Sequence, residues 1–149
     1  MTGRTLLIGG ALLLSVFTGV LWYTQFYAYY GAYPQPEDGL LLDQYPIASW
    51  EGIDGSSSPL KVRVCASVSA ETATQILVEL EAQEPGDPLV PPPWFECFDA
   101  KQISRDLTDG MAKFFLLGPS DFDGVDDVMA VYADGRIYLW RQLDERFAN

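Results

Sequence analysis

Val128-Met-Ala-Val-Tyr-Ala-Asp-Gly-Arg-Ile-Tyr-Leu-Trp-Arg141 places two apolar, β-prone runs on either side of a glycine turn. Val128–Tyr132 and Arg136–Arg141 are expected to pair as an antiparallel hairpin through Ala133-Asp134-Gly135, since a short connection with glycine suits that reversal. A lone hairpin is barely stable in water, so it calls for more strands or a packed helix. Tyr138 and Trp140 share one face of the second run. That face is either the outer wall of a core or part of a partner surface.

Working back along the chain, Ala112–Leu117 is a short apolar run that reads as a strand. Asp99 and Gln102 form a D-x-x-Q capping box for a helix ending near Thr108, with Gly110 as its stop. Pro85 to Pro93 is too rich in proline for regular structure. Leu60, Val62, Val64, Ala66 and Val68 alternate with Lys61, Arg63, Cys65 and Ser67, the pattern of a half-buried strand. Ser69 suits the cap of a short helical turn reaching Gln75. Ile76–Ala82 then alternates like a strand, with one amphipathic helix from Ser69 to Ala82 as the competing reading. Leu40–Trp50, broken by Pro46, is expected to give one short strand, and Gly52–Pro59 a turn-rich loop. No internal repeats are present. The sum is an α+β domain on a mainly antiparallel sheet with one or two short helices.

Ahead of this domain, Leu6 to Tyr23 carries no charge and consists mainly of Leu, Val, Ile, Gly and Phe. About eighteen apolar residues is the lower working length of a bilayer span. Trp22, Tyr23, Phe26, Tyr27, Tyr29, Tyr30 and Tyr33 resemble an interfacial aromatic belt. The segments expected are a cytoplasmic stub 1–5, a transmembrane anchor 6–29, a linker 30–59 and an extracytoplasmic domain 60–149. A cleaved signal peptide is the alternative, but it needs small residues at −3 and −1, where this sequence has bulky aromatics. Arg4 lies before the helix, and Glu37, Asp38 and Asp43 follow it. The positive-inside rule therefore puts the N-terminus in the cytoplasm and the domain in the periplasm, on the inner membrane. Ala11, Ser15 and Gly19 recur every fourth residue on one helix face, a spacing that lets a second membrane helix approach closely.

The chain has 149 residues and a formal net charge of −12. Arg4 is the only charged side chain before Glu37, so leaving out its single positive charge gives the exported part −13. Such a field opposes nucleic acid and anionic headgroups as partners. There is no histidine, which removes Ser-His-Asp and Cys-His catalysis, histidine-bound zinc and ordinary c-type haem attachment. No cofactor is expected.

Among candidate sites, Cys65 and Cys97 form an even pair that in an oxidising compartment reads first as a disulfide. Two buried thiols, or a reactive Cys65 activated by Lys61 and Arg63, are the alternatives. Asp121, Asp123, Asp126 and Asp127 surround Gly124, an arrangement that could serve calcium or simply be a solvated turn. Ser56, Ser57 and Ser58 would need Lys61 as a base, and no G-x-S-x-G elbow is present. Trp94, Phe95 and Phe98 beside Cys97 read as core before they read as a ligand platform.

Gly52-Ile-Asp-x-x-Ser-Ser-Pro59, Arg63-x-Cys65, Pro93-Trp-Phe-x-Cys-Phe-Asp-Ala100 and Val131-Tyr-x-Asp-Gly-Arg136 with Trp140-x-Gln142 together resemble a family. It is a bacterial domain-of-unknown-function family of small single-pass proteins, sometimes labelled histidine kinases. The resemblance implies that Cys65 and Cys97 belong together, and it implies no activity. The family pattern has a histidine after the C-terminal tryptophan where this sequence has Arg141, so a role for that imidazole does not carry over. Nothing supports the kinase label, because the chain has neither a nucleotide-binding loop nor a phosphoacceptor histidine.

These readings lead to a non-enzymatic accessory protein: a subunit, assembly factor or stabiliser of a larger membrane complex. Its expected partners are the lipid bilayer and other membrane subunits. An anchored ligand- or calcium-binding sensor is the alternative, and an unrecognised redox or hydrolytic enzyme the third reading.

Overall fold

The computed structural model describes residues 2–148 and divides the chain into two units, residues 1–30 and 31–149. Helix α1 spans Gly3–Phe26, 24 residues, or roughly 36 Å at 1.5 Å per residue, enough for a hydrocarbon core of about 30 Å. It is the one helix among the described residues long and apolar enough to cross a membrane. It begins and ends three residues earlier than the expected 6–29. Its apolar side chains are exposed, Leu7 at 77% and Leu13 at 73%, as a lipid-facing surface requires.

The second unit is α+β. Its strands are β1 (Tyr30–Ala32), β2 (Leu40–Leu41), β3 (Tyr45–Pro46), β4 (Ser49–Gly55), β5 (Arg63–Ser67), β6 (Ala112–Pro119), β7 (Val125–Tyr132) and β8 (Arg136–Leu143). Helices α2 (Ala70–Glu79) and α3 (Ala100–Thr108) complete it. Six strands form one sheet in the order β1-β4-β5-β8-β7-β6, and β2 pairs with β3 separately. The pairings from β4 through to β6 are antiparallel. The hairpin expected from Val128 to Arg141 is the β7–β8 pair, with Val131 opposite Ile137 and Gly135 at φ +101°. Because paired residues project to the same side, the register defines two faces.

On the first face Val64, Ala66, Phe115, Met129, Val131 and Ile137 are buried with Ala73 and Ile76 of α2 and Leu41 and Tyr45 of the β2–β3 hairpin. On the second, Phe98 meets Tyr138 and Trp140 edge-on at 5.8 and 6.3 Å. Phe114 and Tyr132 extend that aromatic layer, and α3 contributes the buried Ile103 and Leu107. Tyr138 and Trp140 are thus part of a core. Phe95 and Phe98 are likewise buried, while Trp94 is 37% exposed.

Three local expectations are corrected. Ile76–Ala82 is not a strand: α2 runs on to Glu79, with Ser69 Oγ accepting from Thr72 N–H. The side chains at 76 and 80 satisfy both periods, and it is Ala73 and Ile76, three apart and fully buried, that mark the helical one. Gly52–Pro59 is not a loop throughout, since β4 runs through Gly55, pairs with β5 and buries Ile53. Gly52 belongs there because a Cβ would come within 2.7 Å of the Tyr33 carbonyl oxygen. Leu40–Trp50 is not one strand but the β2–β3 hairpin followed by the start of β4. In addition, the strand expected from Leu60 begins only at Arg63, after a 3-10 turn over Pro59–Lys61. Half of the expected α3 capping box forms, with Asp99 Oδ1 accepting from Gln102 N–H at 3.0 Å, while the Gln102 side chain turns to Asp106 and Arg105 instead; Gly110 follows at φ +76°.

Candidate functional site

The second face is closed by a covalent link and a buried cation. Cys65 and Cys97 are joined, with Sγ–Sγ 2.15 Å, so the reactive-thiol and free-thiol readings of Cys65 fail. Arg63 is 4% exposed. Its Nε donates to the Leu89 carbonyl at 2.7 Å, and its Nη1 to the carbonyls of Leu60 and Val62 at 2.7 and 2.5 Å. The guanidinium also lies over the Phe98 ring at 5.8 Å. The Leu89 bond fastens the proline-rich 85–93 segment to the sheet, and the other two hold the turn before β5, which is a structural task. Asp106, also buried, accepts from Tyr132 Oη at 2.7 Å and from Gln102 Nε2 at 2.7 Å.

The first face is less complete. Between the β2–β3 hairpin and the sheet lies a cleft of about 260 Å³. Leu41, Leu42, Val64, Leu117 and Leu139 give it apolar walls, and Tyr33, Trp50 and Asp127 bring polar groups to it. Trp50 is fixed there, its Nε1 donating to the Tyr33 carbonyl at 2.9 Å, with the two rings stacked at 6.3 Å. Leu42 and Asp43, which turn the hairpin, both have positive φ, +54° and +60°. This conformation is strained for a residue like leucine, and the packing of Leu42 against the core offsets it.

Arg141 stands two residues beyond Leu139 on the same side of β8. Its side chain is 6% exposed, and its Nε donates to Asp127 Oδ1 at 2.8 Å. Its guanidinium lies between the rings of Tyr33 and Phe122, at 5.8 and 5.5 Å. Burial lowers the affinity of Arg141 for its proton, but Asp127 more than restores it. Tyr33 is pushed up, first by burial and then by Asp127, Asp54 and Asp121, against the opposing pull of Arg141. Tyr33 and Asp127 line the cleft, and Arg141 is joined to it through its bond to Asp127. Sequence reasoning missed it, because its parts come from four segments far apart in the chain.

A model of a family of unknown function, DUF6446, matches residues 38–149. The chain belongs to that family. The match takes in both cysteines, the hairpin, Trp50, Asp127 and Arg141, and it leaves out α1 and Tyr33. None of the curated proteins and none of the solved structures matches the chain.

The four carboxylates Asp121, Asp123, Asp126 and Asp127 of the acidic loop are not gathered around one point. Among the described residues no group of three or more acidic or cysteine side chains is gathered to hold a metal ion. Asp126 and Asp127 are consecutive in β7 and point to opposite faces. Asp127 is engaged by Arg141, and Asp123 by Arg146 at 3.0 Å. Ser57 Oγ does accept from Lys61 Nζ at 2.7 Å, but the bond is exposed and lacks the dry surroundings a lysine base needs. Ala11, Ser15 and Gly19 lie along exposed α1, where Ser15 Oγ donates back to the Ala11 carbonyl at 2.9 Å. That bond occupies the hydroxyl within its own helix, so packing of small residues is the remaining means of contact there.

Proposed function

We propose that this protein is a non-enzymatic accessory subunit, assembly factor or stabiliser of a larger membrane complex. The carrying observation is the union in one short chain of an exposed apolar helix, Gly3–Phe26, with a small disulfide-linked acidic domain. The helix passes once through the inner membrane with Arg4 on the cytoplasmic side, and the domain lies in the periplasm. A disulfide favours an oxidising compartment, and the charge distribution favours this orientation. Ala11, Ser15 and Gly19 are the proposed contact with a partner helix.

The test is capture of the tagged protein from gently solubilised native membranes, compared with a variant carrying Ala11→Leu, Ser15→Leu and Gly19→Leu. Mass spectrometry is expected to find a stoichiometric membrane partner that the variant loses. Absence of any partner from both proteins would overturn the accessory role. The cleft favours a second reading, an anchored ligand-binding sensor domain, for which a small ligand rather than a protein would co-purify.

A further inference from the structure

The β2–β3 hairpin is joined to the rest of the domain by little. Each of its strands is two residues long and pairs only with the other, and an isolated hairpin is barely stable in water. Among the described residues, every hydrogen bond of residues 39–47 stays within residues 36–47, with one exception. That exception runs from Tyr45 Oη to Glu79 Oε2 at 2.6 Å. The chain on either side is fastened to the main sheet instead. Tyr33 N–H donates to the Gly52 carbonyl at 2.9 Å, and Ala48 N–H to the Ser67 carbonyl at 2.8 Å. At the root of the hairpin, Ile47 N–H donates to the carbonyl of Gly39 at 3.0 Å, and Gly39 has a φ of +68°.

Two opposing effects act on the hairpin where it lies. Leu41 and Tyr45 are buried, and Leu42 and Ile47 pack against the same cluster, which keeps their apolar surface from water. Against this, Leu42 and Asp43 both lie in the left-handed region, and neither is glycine. A turn with two positive φ values favours Asn-Gly or Asp-Gly, so the closed position carries backbone strain that a lifted hairpin is free to relax. Leu41 and Leu42 are the hairpin's share of the lining of the cleft of about 260 Å³, and Val64, Leu117 and Leu139 are the sheet's. Lifting the hairpin removes its wall without breaking any pairing of the six-stranded sheet, which contains neither β2 nor β3. We infer that the β2–β3 hairpin is a hinged lid on this cleft, latched by the Tyr45–Glu79 bond, and that it opens while the six-stranded sheet stays folded. The lid is a property of the domain itself and does not depend on the accessory reading above.

The experiment follows amide hydrogen exchange in the full chain, ¹⁵N-labelled in phosphatidylcholine nanodiscs, at rising urea concentrations below the unfolding transition. The Gln44 and Ile47 amides, bonded to the carbonyls of Leu41 and Gly39, are expected to be protected, but less than the β7 amides. Their exchange should hardly respond to urea, because a lid exposes little surface. The β7 amides need global unfolding and should speed up with urea. Tyr45→Phe should speed exchange at Gln44 and Ile47 about 5–30-fold through loss of the latch. Cys65→Ser with Cys97→Ser should instead speed the β7 amides and leave Gln44 and Ile47 as they were. If that double variant fails to fold, the urea series and Tyr45→Phe still decide. Gln44 and Ile47 amides that exchange in step with β7, rising with urea and with loss of the bridge, would overturn the lid. So would amides there that show no protection, or that do not respond to Tyr45→Phe.

Discussion

The two faces of the central sheet are finished in different ways. The α3 face is locked by the Cys65–Cys97 bridge, the Arg63 bonds to three carbonyls and a layer of edge-on aromatic rings. Its one blemish among the described residues is the Trp140 Nε1 donor, buried without a partner. The α2 face has a compact apolar cluster over part of its area, but the β2–β3 hairpin leaves a cleft, and Arg141 has donors to spare. Both faces bury an arginine. Arg63 spends its donors on the protein's own backbone, and Arg141 keeps most of its own unspent. The same residue type therefore staples backbone carbonyls on one side and pairs with a carboxylate on the other.

The sharpest way to break this contrast is to remove the bridge. Replacing Cys65 and Cys97 together by serine should cost about 3–4 kcal/mol on the chain-entropy account for a loop of this size, seen as a large drop in the melting temperature. An unchanged melting temperature would mean that the α3 face owes its order to packing alone.

A smaller effect is expected on the other face. The Tyr45 hydroxyl donates to Glu79 Oε2 at 2.6 Å, tying the hairpin to the end of α2. Tyr45→Phe should cost about 1–2 kcal/mol, in the range for a hydrogen bond to a charged acceptor. The bond to Glu79, with burial second, pushes the Tyr45 hydroxyl up to about 12, against about 10 in the unfolded chain. The folded state therefore holds this proton more tightly. Its contribution is complete below about pH 10 and is lost as the pH rises toward about 12. Denaturant melts of the wild type should lose stability more steeply across that window than melts of Tyr45→Phe, and equal slopes would show that the hairpin is not held this way.

Much of the α3 face was legible in the sequence, and little of the α2 face was. The β7–β8 hairpin, the Asp99 cap and the Gly110 stop are local signals carried by turn and cap chemistry. The cysteine pairing was legible as a first reading, strengthened by the family resemblance. Strand β4 was hidden because Gly52, Asp54 and Gly55 have loop composition, and its pairing with β5 outweighs their weak β preference. Helix α2 was split because Ile76 and Leu80 fit a period of two as well as one of 3.6. The acidic loop suggested a metal because spacing alone cannot reveal that Asp126 and Asp127 face opposite ways in a strand, or that two arginines engage its carboxylates. The cleft joins Tyr33, the hairpin, Trp50 and Leu139 across the chain, and only the tertiary fold brings them together.

The most direct test of the central claim, an anchored domain facing out of the cytoplasm, is protease treatment of intact spheroplasts carrying a tag at each end of the chain. The account predicts that protease removes the C-terminal tag while the N-terminal tag remains with the membrane, and that cell lysis is needed to expose the latter. A C-terminal tag protected until lysis, or a protein recovered in the soluble fraction, would contradict it.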